Sequence, residues 1–226
     1  GIKNKAPRIY LSSKLIPIMS RKTKYGGISL YCPSSIAVQR AKVFLSKEPE
    51  TNRWIDGFDK NSIFWDIGAN VGVFSLYAGL RKDLSIYSFE PLYSNYMVLM
   101  KNLQINGMLH RVNGFPLAFS ESTTLSNFHI KNPIPGYSGS VFGESRDYKG
   151  NRFVAAGKQA MISFAIDDFV NWFGLKIPNY VKIDVDGIES KILKGAKHTI
   201  SDRKVKSVLV ELDEDRKDFQ ETLQFL

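Results

Sequence analysis

The sequence predicts an α/β fold with a mostly parallel sheet and helices on both faces. From residue 62 onward, short buried apolar runs alternate with longer segments of helical periodicity, which is typical of βαβ units. A glycine-containing turn follows the first of these strands and opens the next helix. The 226 residues suffice for a buried core, and a hydrophobic content of 43% argues against disorder.

The charge of the chain is concentrated at its start. Residues 1–47 contain ten Lys or Arg and no acidic residue, whereas the remainder has 21 basic and 22 acidic residues. Such a segment favours contact with phosphate, an acidic glycan or an anionic membrane surface, although it is equally typical of a solvated leader. We therefore divide the chain into a basic N-terminal extension, residues 1–60, and a main domain, residues 61–226.

The extension is predicted to hold little regular structure. Its apolar pieces are broken by Pro, Gly and Ser, which favours extended or irregular segments and a β-hairpin around Gly26 and Gly27. A proline beside two acids is typical of a helix start, so a short helix is expected from Glu48 to about Gly57.

The main domain is predicted to contain five strands of the parallel sheet and three helices. Between residues 119 and 166, period-two fragments flank the Pro- and Gly-rich string 133–140, which predicts extra β-structure before the fourth strand and a mobile loop. The last strands of a complete sheet are expected to be missing, because the sequence ends soon after the fifth. The predicted strands are 62–67, 84–89, 112–118, 180–185 and 205–212, and the helices are 71–80, 93–105 and 190–200.

The turn after the first strand, residues 64–74, has the position of a nucleotide-binding loop. A glycine there allows close approach of a ligand, and the helix N-terminus offers free N–H groups. The dinucleotide pattern G-x-G-x-x-G fails, because Asn70 and Val73 occupy its second and third glycine positions. A P-loop is also excluded, because no Gly-Lys-Ser/Thr string follows.

Two acids flank this turn. Asp66 precedes Gly68, and its carboxylate is expected to point into the turn, where it would repel a pyrophosphate. Glu90 follows the second strand, where an acid accepts hydrogen bonds from both hydroxyls of a ribose. The pair suits a ligand with a ribose, an ammonium and a sulfonium but no phosphate, and S-adenosylmethionine has these features.

Three strings resemble the FkbM-type S-adenosylmethionine-dependent methyltransferases. They are residues 64–72 with Ser88 to Pro91, residues 181–196 and residues 208–211, within a resemblance that covers about residues 25–213. One departure is Asp186, where the family more often has Glu. The resemblance implies an enzyme with a class I methyltransferase (Rossmann-like) fold and S-adenosylmethionine as cofactor. The string 48–58 also resembles family members that act on cell-surface sugars.

Four carboxylates are expected at the edge of the sheet where ligands lie. Asp184 and Asp186 follow the fourth strand and Glu211 follows the fifth. Because a hydroxyl is a poor nucleophile until its proton is removed, we expect a base there, Asp184 first and Asp186 second. Glu189 is the third catalytic candidate, or alternatively an acid that stabilises a helix start.

The remaining site predictions concern the cofactor, the acceptor and metal. Glu211 is expected to orient the acceptor or to pair with Lys206 or Lys182. We assign no metal ligands, and the three histidines lack ligand spacing. Hydroxyl groups of the loop, on Tyr137, Ser138 and Ser140, are candidates to hydrogen-bond a sugar.

The predicted cofactor contacts are Asp66, Gly68, Ala69, Asn70, Gly72, Glu90, Pro91 and Ala118.

The sequence thus predicts an S-adenosylmethionine-dependent O-methyltransferase that acts on a hydroxyl of a sugar, a glycan or a related small molecule. One alternative is an RNA 2′-O-ribose methyltransferase, which the basic extension favours and the near-neutral remainder of the chain opposes. The other is a non-catalytic module that docks on a surface through residues 1–47. A cytoplasmic location is expected, with peripheral contact at an anionic membrane, and no oligomeric state is indicated.

Overall fold

The computed structural model describes residues 15–212, 214 and 219–223, so the first 14 residues of the predicted extension lie outside the described part. The strands are β1 (Ile18–Thr23), β2 (Gly26–Tyr31), β3 (Ile63–Ile67), β4 (Ser85–Phe89), β5 (Val112–Phe115), β6 (Ala118–Phe119), β7 (Thr124–Ile130), β8 (Val141–Phe142), β9 (Gly157–Phe164), β10 (Tyr180–Ile183) and β11 (Ser207–Val210). The helices are α1 (Ser35–Lys47), α2 (Pro49–Asp56), α3 (Val73–Gly79), α4 (Tyr93–Ile105), α5 (Ile166–Phe173), α6 (Glu189–Lys194), α7 (Lys197–Ile200) and α8 (Phe219–Leu223).

A five-stranded sheet forms the centre of the fold, in the order β11-β10-β3-β4-β5. Every neighbouring pair in it is parallel, which requires crossover connections and leaves both faces to be covered. One face packs against α1, α2, α3 and α4, and the other packs against α5, α6 and the second sheet. The predicted α/β class is confirmed, with helices on both faces.

The extra β-structure predicted before the fourth strand is a separate four-stranded sheet in the order β6-β9-β7-β8. The predicted strand 112–118 is wrong in one respect, because it is divided between the two sheets. β5 ends at Phe115, and Ala118 begins β6. Pro116 lies between them and has no N–H to donate to a ladder, so the chain changes sheets there.

The N-terminal segment is more regular than predicted. The hairpin is confirmed as β1 and β2, and the helix at Pro49–Asp56 ends at Gly57 as expected. Helix α1 was not expected. It begins where the Ser34 hydroxyl accepts a hydrogen bond from the backbone N–H of Ala37, and it buries Ala37, Ala41 and Phe44 on one face.

One further helix prediction needs correction, and one helix was not predicted. The predicted helix 190–200 is interrupted after Lys194, and α6 and α7 form instead. Gly195 lies between them, and a Cβ there would lie 2.2 Å from the backbone oxygen of Ser120. Helix α5 was also missed, because its eight residues follow the strand-like pattern of β9 without a polar cap. No described helix has the length and apolar character needed to cross a membrane.

Two asparagines, Asn102 of α4 and Asn106 at the C-cap of that helix, join the hairpin to the central domain. The Asn102 amide oxygen accepts from the Tyr31 N–H at 2.7 Å, and its NH₂ donates to the Val71 carbonyl at 2.8 Å. One helical turn later, the Asn106 amide accepts from the Ser29 N–H at 2.9 Å and donates to the Ser29 carbonyl at 2.6 Å. These side chains therefore hydrogen-bond the free edge of β2 as a neighbouring strand would.

We expect Asn102→Ala to lower the free energy of unfolding by about 3 kcal/mol, because Asn102 is fully buried and the substitution leaves a backbone donor and a backbone acceptor without partners. Urea denaturation measures the change. The matched control is Gln104→Ala, which removes an exposed amide from the same helix and should change stability by less than about 0.5 kcal/mol. Equal losses for both variants would contradict the assigned role of Asn102.

Candidate active site

A cavity of about 290 Å³ opens at the carboxyl ends of β3, β4, β10 and β11. Its other walls come from α1, from the second sheet and from the loop 133–140. This is the edge at which ligands bind in open α/β sheets, and it is where the sequence placed the acidic residues. The cavity is thus bounded by the central sheet on one side and by elements outside that sheet on the other.

The turn between β3 and α3 is held against the neighbouring strands. The backbone N–H groups of Gly68 and Ala69 both donate to the Phe89 carbonyl, at 3.0 Å each. Gly68 has a φ of +83°, and a Cβ there would lie 1.8 Å from the Asp184 carbonyl oxygen. Only glycine fits this position, and its absence of a side chain lets the ends of β3 and β10 meet at the cavity.

Glu90 lies at the centre of the predicted cofactor contacts. Its two carboxylate oxygens accept from the backbone N–H groups of Asn70, at 2.7 Å, and of Leu92, at 2.8 Å. Burial raises the pKa of Glu90 to about 7, although these two N–H groups act to lower it. The Asn95 side chain also hydrogen-bonds to this carboxylate, so about one of its four lone pairs remains for a hydroxyl group of a ligand.

The expected orientation of Asp66 is wrong. Side chains alternate along β3, so Asp66 lies with Phe64 on the face that packs under α3, and it does not line the cavity. It is 1% exposed and accepts from the Ser75 hydroxyl at 2.5 Å. Burial raises its pKa, and the charge of Lys182 opposes this. Asp66 therefore stabilises the turn through its hydrogen bond to α3, on the face of β3 that is turned away from the cavity.

The other predicted cofactor contacts divide into two groups. Gly68, Asn70, Glu90, Pro91 and Ala118 line the cavity. Ala69 and Gly72 are part of the same turn without lining it, and Gly72 is the N-cap of α3. The contacts of all seven with a cofactor stay predictions.

Asp184 is held by two partners. Its carboxylate is paired with the ammonium of Lys182, which is 1% exposed, and is hydrogen-bonded to the carboxyl group of Glu211. Burial acts to raise the pKa of Asp184, but the Lys182 charge and these hydrogen bonds outweigh it and lower that pKa. The hydrogen bond with Asp184 and its negative charge raise the pKa of Glu211 to about 8, so Glu211 carries the shared proton at neutral pH.

The predicted pairing of Glu211 with Lys206 or Lys182 is wrong, because Glu211 is hydrogen-bonded to Asp184 instead. Lys206 is paired with Asp59, and the nearest acidic partner of Lys182 is Asp184. Glu48, at the start of α2, joins the group from the opposite wall. Carboxylate oxygens of Glu48, Asp184 and Glu211 all lie within 4.8 Å of one another, a spacing that could hold a divalent cation. Lys182 and the shared proton already offset much of their charge.

Asp186 and Glu189 also line the cavity. Burial raises the pKa of Asp186 to about 6, an effect that the backbone N–H of Gly139 opposes and the negative charge of Asp184 reinforces. Glu189 is 1% exposed and begins α6, and its carboxylate accepts from the Gly187 N–H at 3.4 Å. Both predicted roles of Glu189, in catalysis and at the helix start, are compatible with this position.

The loop 133–140, predicted to be mobile, is tied to the site by hydrogen bonds. The Tyr137 carbonyl accepts from the side-chain NH₂ groups of Asn70, at 3.3 Å, and Asn95, at 3.1 Å. The Gly136 N–H donates to Asn95 at 2.7 Å, and the Gly136 carbonyl accepts from Nε of Arg40 at 2.5 Å. Tyr137, Ser138 and Ser140, the loop residues predicted to contact a sugar, all line the cavity. Their contact with an acceptor stays a prediction.

Sequence reasoning missed several residues of this wall. Arg40, Lys47 and Asn95 line the cavity from α1 and α4, far along the chain from the recognisable motifs. The signals for Glu48 were its place at a helix start and its position in the string 48–58, which resembles family members that act on cell-surface sugars. Since α1 was not predicted, nothing in the sequence indicated that one of its faces reaches the site.

The residues of the cavity fit S-adenosylmethionine. Glu90 retains acceptor capacity toward a ligand hydroxyl, and the turn beside it contains no Lys or Arg that a phosphate would need. Leu117, Ala118 and Phe119 supply an apolar wall for a planar base. The carboxylates at the far end suit the positive groups of the ligand.

Comparison with known proteins agrees with the geometry. The methyltransferase sdnD of Sordaria araneosa is 29% identical over 192 residues, which cover 74% of this chain and 72% of the relative. The solved FkbM methyltransferase of Methylobacillus flagellatus KT superposes with a TM-score of 0.53 at 18% identity, over 84% of this chain and 48% of that protein. An S-adenosylmethionine-dependent methyltransferase of Agrobacterium tumefaciens gives 0.51 at 7% identity, over 92% and 56%.

The chain thus spans about half the length of the solved structures that it resembles. Those likenesses show the class I methyltransferase fold. The family profile described as "Methyltransferase FkbM domain" matches residues 66–226, which is more than half of the chain and includes Gly68, Glu90, Asp184, Asp186 and Glu211. The chain belongs to the FkbM family of S-adenosylmethionine-dependent methyltransferases.

Proposed function

We propose that this methyltransferase is an O-methyltransferase and that it methylates a hydroxyl of a sugar or a glycan. One observation carries the proposal: Asp186, a carboxyl group whose pKa is raised to about 6, lines the same cavity as Glu90, a predicted cofactor contact. Such a carboxylate is ionised at neutral pH and is basic enough to accept the proton of a hydroxyl as the new bond forms.

When bound, S-adenosylmethionine supplies a sulfonium methyl group, which forms a C–O bond with the acceptor while the C–S bond breaks and its electron pair stays on sulfur. The hydroxyl proton has to leave at the same time. Asp186 accepts it, and the resulting carboxylic acid then loses the proton to solvent. The rate depends largely on alignment of the acceptor oxygen, which the walls of the cavity provide.

Asp184 has a different part in this proposal from the one its sequence position suggested. Its pKa is held low by Lys182, so it is a weaker base than Asp186. A carboxylate fixed by an ammonium and by Glu211 is well suited to orient a hydroxyl group through a remaining lone pair. We therefore assign Asp184 as the group that positions the acceptor.

A polyhydroxyl acceptor fits the composition of the wall. Tyr137, Ser138 and Ser140 line the cavity beside the carboxylates, and these groups can exchange several hydrogen bonds with neighbouring hydroxyls. Only two cationic side chains among the described residues line this cavity, Arg40 and Lys47. An RNA acceptor would call for a track of Lys and Arg along its phosphates, so this geometry favours a sugar.

The acceptor class is tested with methyl-labelled S-adenosylmethionine. The purified full chain is incubated with neutral and acidic monosaccharide glycosides, with short oligosaccharides and with a single-stranded RNA. We expect label in a sugar as a base-stable methyl ether and none in RNA. Label in RNA ribose would replace this proposal with the 2′-O-ribose alternative. Absence of any transfer would support the non-catalytic binding module.

Replacement of the proposed base should separate chemistry from binding. We expect Asp186→Asn to lower kcat by about 10²- to 10⁴-fold, because an amide cannot accept the proton. Asp186→Glu should retain most of the rate, since it keeps the carboxylate. Affinity for S-adenosylhomocysteine, measured by calorimetry, should change little in either. The control Glu121→Gln neutralises an exposed acid, and a comparable kcat for it and Asp186→Asn would remove Asp186 from the mechanism.

Cofactor affinity should depend on pH through Glu90. Its pKa is raised to about 7, so the carboxyl is increasingly protonated below that pH and loses acceptor capacity for ribose hydroxyls. Affinity for S-adenosylhomocysteine should therefore fall as pH decreases from 8 to 5.5, approaching tenfold per unit at the acidic end. Glu90→Gln should bind more weakly and with a flatter profile. A profile unchanged by this substitution would assign the dependence to another group.

A further inference from the structure

The cavity is lined by a cationic side chain, Arg40, that has no role in the proposed reaction. Among the described residues, two cationic side chains line it, Arg40 and Lys47. Lys47 is paired with Glu48 at 3.3 Å. Arg40 has no carboxylate within 4.0 Å in the described part of the chain, and its guanidinium donates through Nε to the Gly136 carbonyl. The two terminal nitrogens are therefore available to a ligand.

Arg40 is placed precisely by its surroundings. It is half-buried on the face of α1 that borders the cavity, and the hydrogen bond from Nε to the Gly136 carbonyl restrains the position of the guanidinium. Its positive charge helps to lower the pKa of both Asp184 and Asp186, so it faces the end of the cavity where the acceptor is expected. A preorganised guanidinium costs little entropy when it binds an oxyanion.

The acidic groups nearby leave this cation free for a ligand. Asp184 is neutralised by Lys182 and shares a proton with Glu211, and Glu48 is paired with Lys47. The cluster therefore carries less negative charge than its number of carboxyl groups suggests. In the part of the chain that the structure describes, Asp186 is the ionised carboxylate that acts on Arg40 without an ion pair of its own, so an anionic substituent on the acceptor would bind to Arg40 in the presence of one uncompensated negative charge.

We propose that Arg40 binds an anionic group of the acceptor, a carboxylate or a phosphate, and that the preferred acceptor is an acidic sugar. This inference rests on the proposed function and adds a substrate class to it. Arginine presents its terminal N–H groups as a planar fork that matches both oxyanions bidentately. The anchored group would hold the sugar so that one of its hydroxyls reaches Asp186.

Binding to the full chain saturated with S-adenosylhomocysteine tests the proposal. The probes are methyl β-D-glucuronide, glucose 6-phosphate, the neutral methyl β-D-glucoside and inorganic phosphate, titrated calorimetrically at constant ionic strength. We expect at least one anionic sugar to bind about 10- to 100-fold more tightly than the glucoside, as for hydrogen bonds to charged groups. The glucuronide and the phosphate ester distinguish the two oxyanions.

Arg40→Gln should abolish most of this preference, and Arg40→Lys, which keeps the charge but not the fork, should retain part of it. The matched control is Arg53→Gln, an exposed arginine of α2 outside the cavity, which should leave the preference unchanged. Affinity of Arg40→Gln for S-adenosylhomocysteine is measured in parallel. A large loss there would show that Arg40 binds the carboxylate of the cofactor, and the inference would be overturned.

The remaining outcomes separate this inference from the proposed function. Equal binding of charged and neutral sugars, or a preference that persists in Arg40→Gln, overturns the role of Arg40 and leaves sugar methylation intact. If inorganic phosphate binds in an Arg40-dependent way while no sugar binds, the anion site is supported and the sugar acceptor is rejected. Absence of binding by all four probes rejects the anion site.

Discussion

The arrangement of the site depends on the buried ammonium of Lys182. It lies on β10 opposite Asp66 of β3 and two residues before Asp184, so it faces a carboxylate on each side. Burial acts to lower its pKa, but these negative charges outweigh that effect and keep it above the usual value. Without it, Asp66 inside the sheet and Asp184 at its carboxyl edge would lack a compensating cation, and an unpaired buried charge costs several kcal/mol.

The cofactor side and the acceptor side of the cavity have different structural origins. The turn at Gly68, Glu90 and the carboxylates lie at the ends of parallel strands, where register and close approach fix them within tight limits. The opposite wall comes from α1 and from the loop 133–140, which meet through Arg40 and Gly136. Elements outside the sheet tolerate change more readily, so this wall is where acceptor specificity is expected to vary.

Much of the central domain could be predicted from the sequence because its signals are local. Buried apolar runs, helical periodicity and the turn after β3 located the parallel sheet and the strand ends that bear Glu90 and Asp184. Helix α1 was missed because its small residues, Ala37 and Ala41, form an apolar face only against a neighbouring core. The direction of Asp66 was missed because proximity to a turn does not determine which face of a strand a side chain occupies.

The order of the two candidate bases shows why residue identity alone is insufficient. Asp184, Asp186 and Glu211 all follow strands of one sheet edge, yet their surroundings separate them. Lys182 lowers the pKa of the first, burial raises that of the second to about 6, and the hydrogen bond to Asp184 with its negative charge raises that of the third to about 8. Chemically similar groups with separated pKa values can divide the tasks of positioning, accepting and holding a proton. Sequence position favoured Asp184 as the base, whereas the different burial and neighbouring charges of the three carboxyl groups are the reason for our proposal of Asp186.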